Sequence, residues 1–79
     1  MAAASPAGAL GNRLKAFRAQ QKMTQANLAG AVGVTRKTVN TVENQVFIPS
    51  TLLALKFAKT LGVKVDELFY LVETDLPDD

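Results

Sequence analysis

Between Gly33 and Gln45 the chain reads GVTRKTVNTVENQ, a stretch whose side chains can bind but cannot readily catalyse. Arg36 and Lys37 are adjacent cations, Thr35, Thr38 and Thr41 recur at every third position, and Asn40 and Asn44 stand four apart. Guanidinium and ammonium groups bind anionic oxygens, and hydroxyl and amide groups add donors and acceptors of defined geometry. The chemistry on offer is noncovalent recognition of a polyanion. The whole chain contains no histidine and no cysteine, and its carboxylates form no pair on an evident cleft, so the usual nucleophile and general-base arrangements are missing. An enzyme is not expected, and no cofactor or metal is implied.

Displaying such groups together requires a rod with a thin apolar seam. Elsewhere in the body, too, apolar residues recur at three and four positions rather than two, which predicts short helices and an all-α fold. Asn12 is suited to cap a first helix, with Leu10, Leu14 and Phe17 on one face and an end near Gln21. Thr24 caps a second helix that buries Leu28, Ala29 and Val32 and stops at Gly33. Thr35 caps a third, from Arg36 to about Asn44, which buries only Val39 and Val42. The segment QVFIP then runs extended, because Pro49 disfavours a helical Ile48. Ser50 caps a fourth helix with Leu53, Ala54, Phe57, Ala58 and Leu61 inward and Gly62 at its end. Asp66 and Glu67 favour the start of a short fifth helix carrying Leu68 and Phe69. Tyr70 to Val72 either prolong it or open a short strand.

Seventy-nine residues make one small domain with a marginal core, and without cysteine its stability must come from helix packing or a partner subunit. Residues 1–11 are expected to be a disordered alanine-rich tail, residues 12–72 the folded domain, and residues 73–79 an acidic tail. The start lacks the basic residues and long apolar run of a signal peptide, and no window is apolar enough to span a bilayer, so a soluble cytoplasmic protein is expected. Charge is uneven. Residues 1–44 carry six cations against Glu43 alone, a net +5, whereas residues 45–79 carry three cations against six carboxylates, a net −3. That asymmetry suits a molecule with one side facing a polyanion.

The second helix, the turn GVT and the third helix together make the arrangement of a DNA-binding helix-turn-helix spanning residues 24–44. With Leu14, Phe17 and Arg18 in the first helix, TQ and LA between Thr24 and Ala29, VEN at Val42 to Asn44, PS at Pro49, and LGV and ELF near the end, the sequence resembles the Cro/C1-type (xenobiotic-response-element-like) helix-turn-helix regulators from Asn12 to Phe69. The resemblance implies a five-helix, lambda-repressor-like domain that binds double-stranded DNA.

The resemblance also implies roles for single residues. Gln25, after the cap of the second helix, would anchor a phosphate. Arg36, Lys37, Asn40 and Thr41 would read bases, with Thr35 and Thr38 placed for phosphates or groove edges. Arg and Lys match guanine O6 and N7, Asn matches adenine, and the Thr methyl can meet thymine. Arg13 is a further phosphate candidate, and the Asn44 amide serves either the helix end or a phosphate. Arg18 and Glu43 correspond to a partly buried structural ion pair of such domains. Two positions depart from the family pattern. Gln45 stands where a glycine is usual, so the helix end either strains a non-glycine residue or closes differently. Asn27 replaces a capping-box glutamate, which predicts a weaker cap.

These features lead to a transcription regulator, a repressor that binds a palindromic operator as a homodimer. Leu52, Leu55, Val63, Val65, Tyr70, Leu71 and Val72 exceed what one small core needs and form the expected dimer interface. The alternative is an antitoxin or co-regulator whose main partner is another protein, bound through the C-terminal segment.

Overall fold

Three hydroxyl caps set the helical framework. Thr24 Oγ1 accepts from the Asn27 N–H at 3.0 Å, Thr35 Oγ1 from the Thr38 N–H at 3.2 Å, and Ser50 Oγ from the Leu53 N–H at 3.1 Å. The computed structural model describes residues 9–72, with β1 (Ala9–Asn12), α1 (Leu14–Gln20), α2 (Gln25–Val32), α3 (Arg36–Glu43), α4 (Thr51–Leu61), α5 (Val65–Leu68) and β2 (Phe69–Val72) in chain order. Residues 1–8 of the expected N-terminal tail and the acidic segment 73–79 lie outside the described residues.

Leu14, Leu28, Val39, Phe57 and Leu68, one from each helix, are fully buried and form the centre of the core. Val32, Val42, Ala58, Leu61 and Phe69 complete it, and Phe17, Val34, Leu53 and Ala54 pack against it from the rim. No helix among the described residues is long and apolar enough to cross a membrane.

The fold is five helices with a two-stranded sheet, and the sheet corrects the sequence reading at the N-terminus. Residues 9–11, assigned to a disordered tail, belong to β1, and Leu10, assigned to the first helix, lies opposite Leu71 in the antiparallel ladder. The strand is possible because Gly11 has no side chain: a Cβ there would lie 2.5 Å from Cε2 of Tyr70, its partner in the register. β2 settles the open choice at Tyr70 to Val72, since pairing with β1 gives their backbone groups partners that a longer helix would not.

Asn12 caps α1 from one position further out than expected, because Arg13 occupies the N-cap position and offers no side-chain bond. Asn12 Oδ1 accepts from the Leu14 N–H at 3.1 Å, and its Nδ2 donates to the Val42 carbonyl at 2.9 Å. One amide thereby ties the sheet, α1 and the end of α3. The cap of α2 is not weak: Asn27 Oδ1 accepts from the Thr24 N–H at 3.1 Å, so asparagine closes the capping box that glutamate usually closes. Gly33 and Gly62 take left-handed φ values of +80° and +71°, as helix-ending residues without a Cβ do readily. Lys22 and Gln45 do the same with side chains attached, at +56° and +62°.

Candidate nucleic-acid interface

α3 sits on the body through Val39 and Val42, both buried, and turns Arg36, Lys37 and Asn40 outward. Thr38 and Thr41 are half-buried at its flank. The threonine hydroxyls are largely used within the helix. Thr41 Oγ1 donates to the Thr38 carbonyl at 3.0 Å, and the Thr35 and Thr38 hydroxyls share a hydrogen bond of 3.1 Å. Asn44 Nδ2 donates to the Asn40 carbonyl at 2.9 Å, so of the two roles left open for it, closing the helix end is the one seen.

A chain of four polar side chains runs from the interior to this surface. Arg18 Nε donates to Glu43 Oε2 at 2.8 Å and Nη2 donates to Oε1 at 3.3 Å, with the side chains only 14% and 5% exposed. Arg18 Nη1 also donates to the Met23 carbonyl at 2.8 Å. Gln25 Nε2 donates to Glu43 Oε1 at 3.0 Å, and Gln25 Oε1 accepts from Arg36 Nη1 at 3.2 Å. The carboxylate fixes which end of the Gln25 amide faces inward, and the outward oxygen holds the guanidinium of Arg36. The spacing of these residues in sequence gave no sign of the last two bonds.

Arg13 is not brought to this group. Its guanidinium lies 4.4 Å above the centre of the Tyr70 ring, and Nη1 donates to the Glu67 carbonyl at 3.3 Å, which places it against α5 and β2.

Sequence reasoning passed over Val46, Phe47 and Ile48, which are 76%, 48% and 70% exposed in the loop after α3. The available signal was three large apolar residues in a row before Pro49, outside any periodic pattern. Val46 and Phe47 border α3, and with Thr35, Lys37, Thr38 and Thr41 they line one notch. Phe47 and Ile48 also line a second groove, shared with Leu10, Phe69 and Leu71 of the sheet. The sheet edge is held to this loop by Gln45, whose Nε2 donates to the Leu10 carbonyl at 3.0 Å.

Of the residues assigned to a dimer interface, Leu52, Leu55, Val65, Tyr70, Leu71 and Val72 are exposed. Val63 is not free for that purpose. It is half-buried and packs against the core, held there by its N–H bond to the Ala58 carbonyl in the turn that ends α4.

Two capped helices joined by a tight turn, with the second resting on two valines and facing outward with cations and amides, define a helix-turn-helix domain. The helix-turn-helix family model matches residues 14–68. The HTH-type transcriptional regulator YgzD of Bacillus subtilis is 42% identical over 62 residues, covering 78% of this chain and 94% of the relative. An HTH-type transcriptional regulator of Methanocaldococcus jannaschii is 43% identical over 58 residues, covering 73% and 88%. The crystal structure of the restriction-modification controller protein C.AhdI from Aeromonas hydrophila is similar with a TM-score of 0.67 and 31% identity, covering 70% of this chain and 83% of that one. The chain belongs to the Cro/C1-type helix-turn-helix family. It is a transcription regulator of a DNA-binding class and not an enzyme.

Proposed function

We propose that this protein is a repressor that occupies a palindromic operator as a homodimer, with α3 in the major groove of each half-site. The observation that carries this is the division of α3 between two buried valines and an outward face of Arg36, Lys37 and Asn40. A groove about 12 Å wide admits one such helix. Arg36 and Lys37 would read guanine edges, Asn40 an adenine, and Thr41 a neighbouring base, while Thr35 and Thr38 lie toward the backbone. Gln25 would meet a phosphate with the amide hydrogen that Glu43 leaves free. Arg13, stacked on Tyr70, keeps N–H donors beyond the one given to the Glu67 carbonyl, and Asn44 keeps an amide hydrogen beside its bond to Asn40, so both would serve a phosphate rather than read a base.

Support for the dimer is the exposed apolar set of Leu52, Leu55, Val65, Tyr70, Leu71 and Val72 on a domain whose own core is small and marginal. A two-fold pair would place its reading helices about 34 Å apart, matching half-sites one turn apart.

Selection of bound duplexes from a randomised pool tests the proposal directly. The expected result is an enriched inverted repeat with half-site centres about one helical turn apart. Enrichment of no sequence would overturn DNA reading, and an asymmetric single site would overturn the two-fold arrangement.

A further inference from the structure

Two apolar hollows meet at Phe47. The larger, about 370 Å³, lies between the sheet and the loop after α3, and its walls include Leu10, Phe47, Ile48, Phe69 and Leu71. Leu10 and Leu71 stand opposite each other in the ladder and so share one face of the sheet. The smaller hollow brings Val46 and Phe47 together with Lys37 of α3. One apolar track therefore leads from the sheet to a cation of the proposed DNA surface. Ile48 is largely exposed on this track and belongs to neither the proposed reading set nor the proposed dimer set. Lys37 is exposed and, among the described residues, has no carboxylate partner.

The chain itself supplies an occupant of matching chemistry. Phe69 pairs with Asn12, whose amide binds the Val42 carbonyl at the end of α3, so β2 starts beside α3 and runs away from it. Val72 ends the strand opposite Ala9, which lines the far end of the larger hollow. Residues 73–79, ETDLPDD, follow directly and carry Glu73, Asp75, Asp78 and Asp79 around a single large apolar residue, Leu76. Pro77 disfavours a helical Leu76 and so biases it toward the extended form. After a reversal at Glu73 to Asp75, an extended run to Asp79 would span about 13 Å, enough to retrace the four residues of β2. We propose that residues 73–79 fold back along this track within the same chain, with Leu76 on Leu10 and Ile48 and the last carboxylates at Lys37, and that the segment thereby competes with DNA for α3. The contact stands on the groove and the charges alone, whereas the competition rests on α3 entering the major groove. The proposed homodimer draws on Leu71 at the rim of the same groove. A tethered segment acts at an effective concentration of about millimolar, well above that of a free copy at micromolar levels, so it holds the groove in the monomer.

The chain has no cysteine, so a nitroxide on Asp79→Cys marks the segment at one site. In the isotope-labelled full chain the amide signals of Lys37, Phe47 and Ile48 should broaden, and adding Leu76→Ser should restore them. Labelled chain without nitroxide, mixed with unlabelled chain that carries it, should keep these signals sharp. No broadening within the labelled chain overturns the inference, and broadening of comparable depth in the mixed sample overturns it by assigning the groove to another copy. A second arm measures affinity for a duplex recovered by selection, by fluorescence anisotropy. Leu76→Ser keeps every charge, so simple repulsion between the segment and DNA predicts no change. Release from the groove should instead tighten binding about fivefold, the gain when a closed form holding about four-fifths of the molecules is freed. Ile48→Ser, on the other wall of the contact, should give a similar gain, and the two changes together no more than either alone. Parent affinity in both variants overturns the competition and leaves DNA reading intact. Absence of binding to any duplex overturns the competition together with DNA reading, while the broadening still tests the contact.

Discussion

Glu43 Oε1 accepts a hydrogen bond from Gln25 Nε2 at 3.0 Å while the same carboxylate is held by Arg18. A buried ion pair of the body is thus the anchor of a side chain on the proposed DNA surface. Glu43→Ala would strand the Arg18 charge with only the Met23 carbonyl and free the Gln25 amide to turn. The expected loss is about 3 kcal/mol, because removing one partner of a buried pair leaves an uncompensated charge. Urea unfolding followed by helical circular dichroism measures it. A loss below about 1 kcal/mol would show that Arg18 finds water or another acceptor at little cost.

The link from Gln25 to Arg36 leads to a second expectation. Gln25→Ala should weaken binding to all duplexes by a similar factor, as loss of a phosphate contact does, whereas Arg36→Ala should relax selectivity at particular base pairs by about 1 to 3 kcal/mol. Because the two side chains share a bond of 3.2 Å, their effects on affinity for the selected site should not add, with a coupling of at least about 0.5 kcal/mol. A double-mutant cycle with strictly additive losses would mean that Arg36 leaves Gln25 when DNA binds.

The three middle helices were legible because each begins with a hydroxyl residue whose chemistry starts a helix and carries an apolar face of helical period. Thr24, Thr35 and Ser50 all cap where the sequence places them, and Val39 and Val42 face inward as their spacing demands. The N-terminal strand was not legible. AGALG has neither alternation nor β-branched residues, and its pairing depends on Gly11 leaving room for Tyr70, a contact about sixty residues distant in the chain. The polar chain through Gln25 was half legible: Arg18 with Glu43 followed from family resemblance, but the bonds of Gln25 depend on side-chain directions that only packing determines. Asn27 departs from the family pattern without weakening the cap, because its shorter amide reaches the same N–H.

Gln45 holds a left-handed backbone at φ +62° and binds the Leu10 carbonyl through its side chain, so two substitutions separate the two effects. Gln45→Ala keeps the backbone strain and loses the bond, and should destabilise by about 0.5 to 1 kcal/mol. Gln45→Gly loses the same bond but removes the steric cost of a Cβ at this φ, about 1 kcal/mol. The glycine variant should therefore be the more stable of the two and close to the parent protein in thermal unfolding. Equal stability of the two variants would mean that the strain at Gln45 is relieved by movement of the loop.

Leu71 is 75% exposed on β2, opposite Leu10, and it borders the groove that also holds Phe47 and Ile48. A side chain this open contributes little to the monomer, so Leu71→Asp should leave the helical circular dichroism and the unfolding midpoint nearly unchanged. In a dimer built on this surface the same change buries a carboxylate without a partner, which costs far more than the leucine contributed. Equilibrium sedimentation at tens of micromolar should find the parent chain dimeric and the variant monomeric. Binding to a duplex with two half-sites should fall with it, while binding to an isolated half-site is not weakened, because α3 is untouched. A parent chain that sediments as a monomer would refute the homodimer, and a dimeric Leu71→Asp protein would move the interface to the exposed Leu52 and Leu55 of α4.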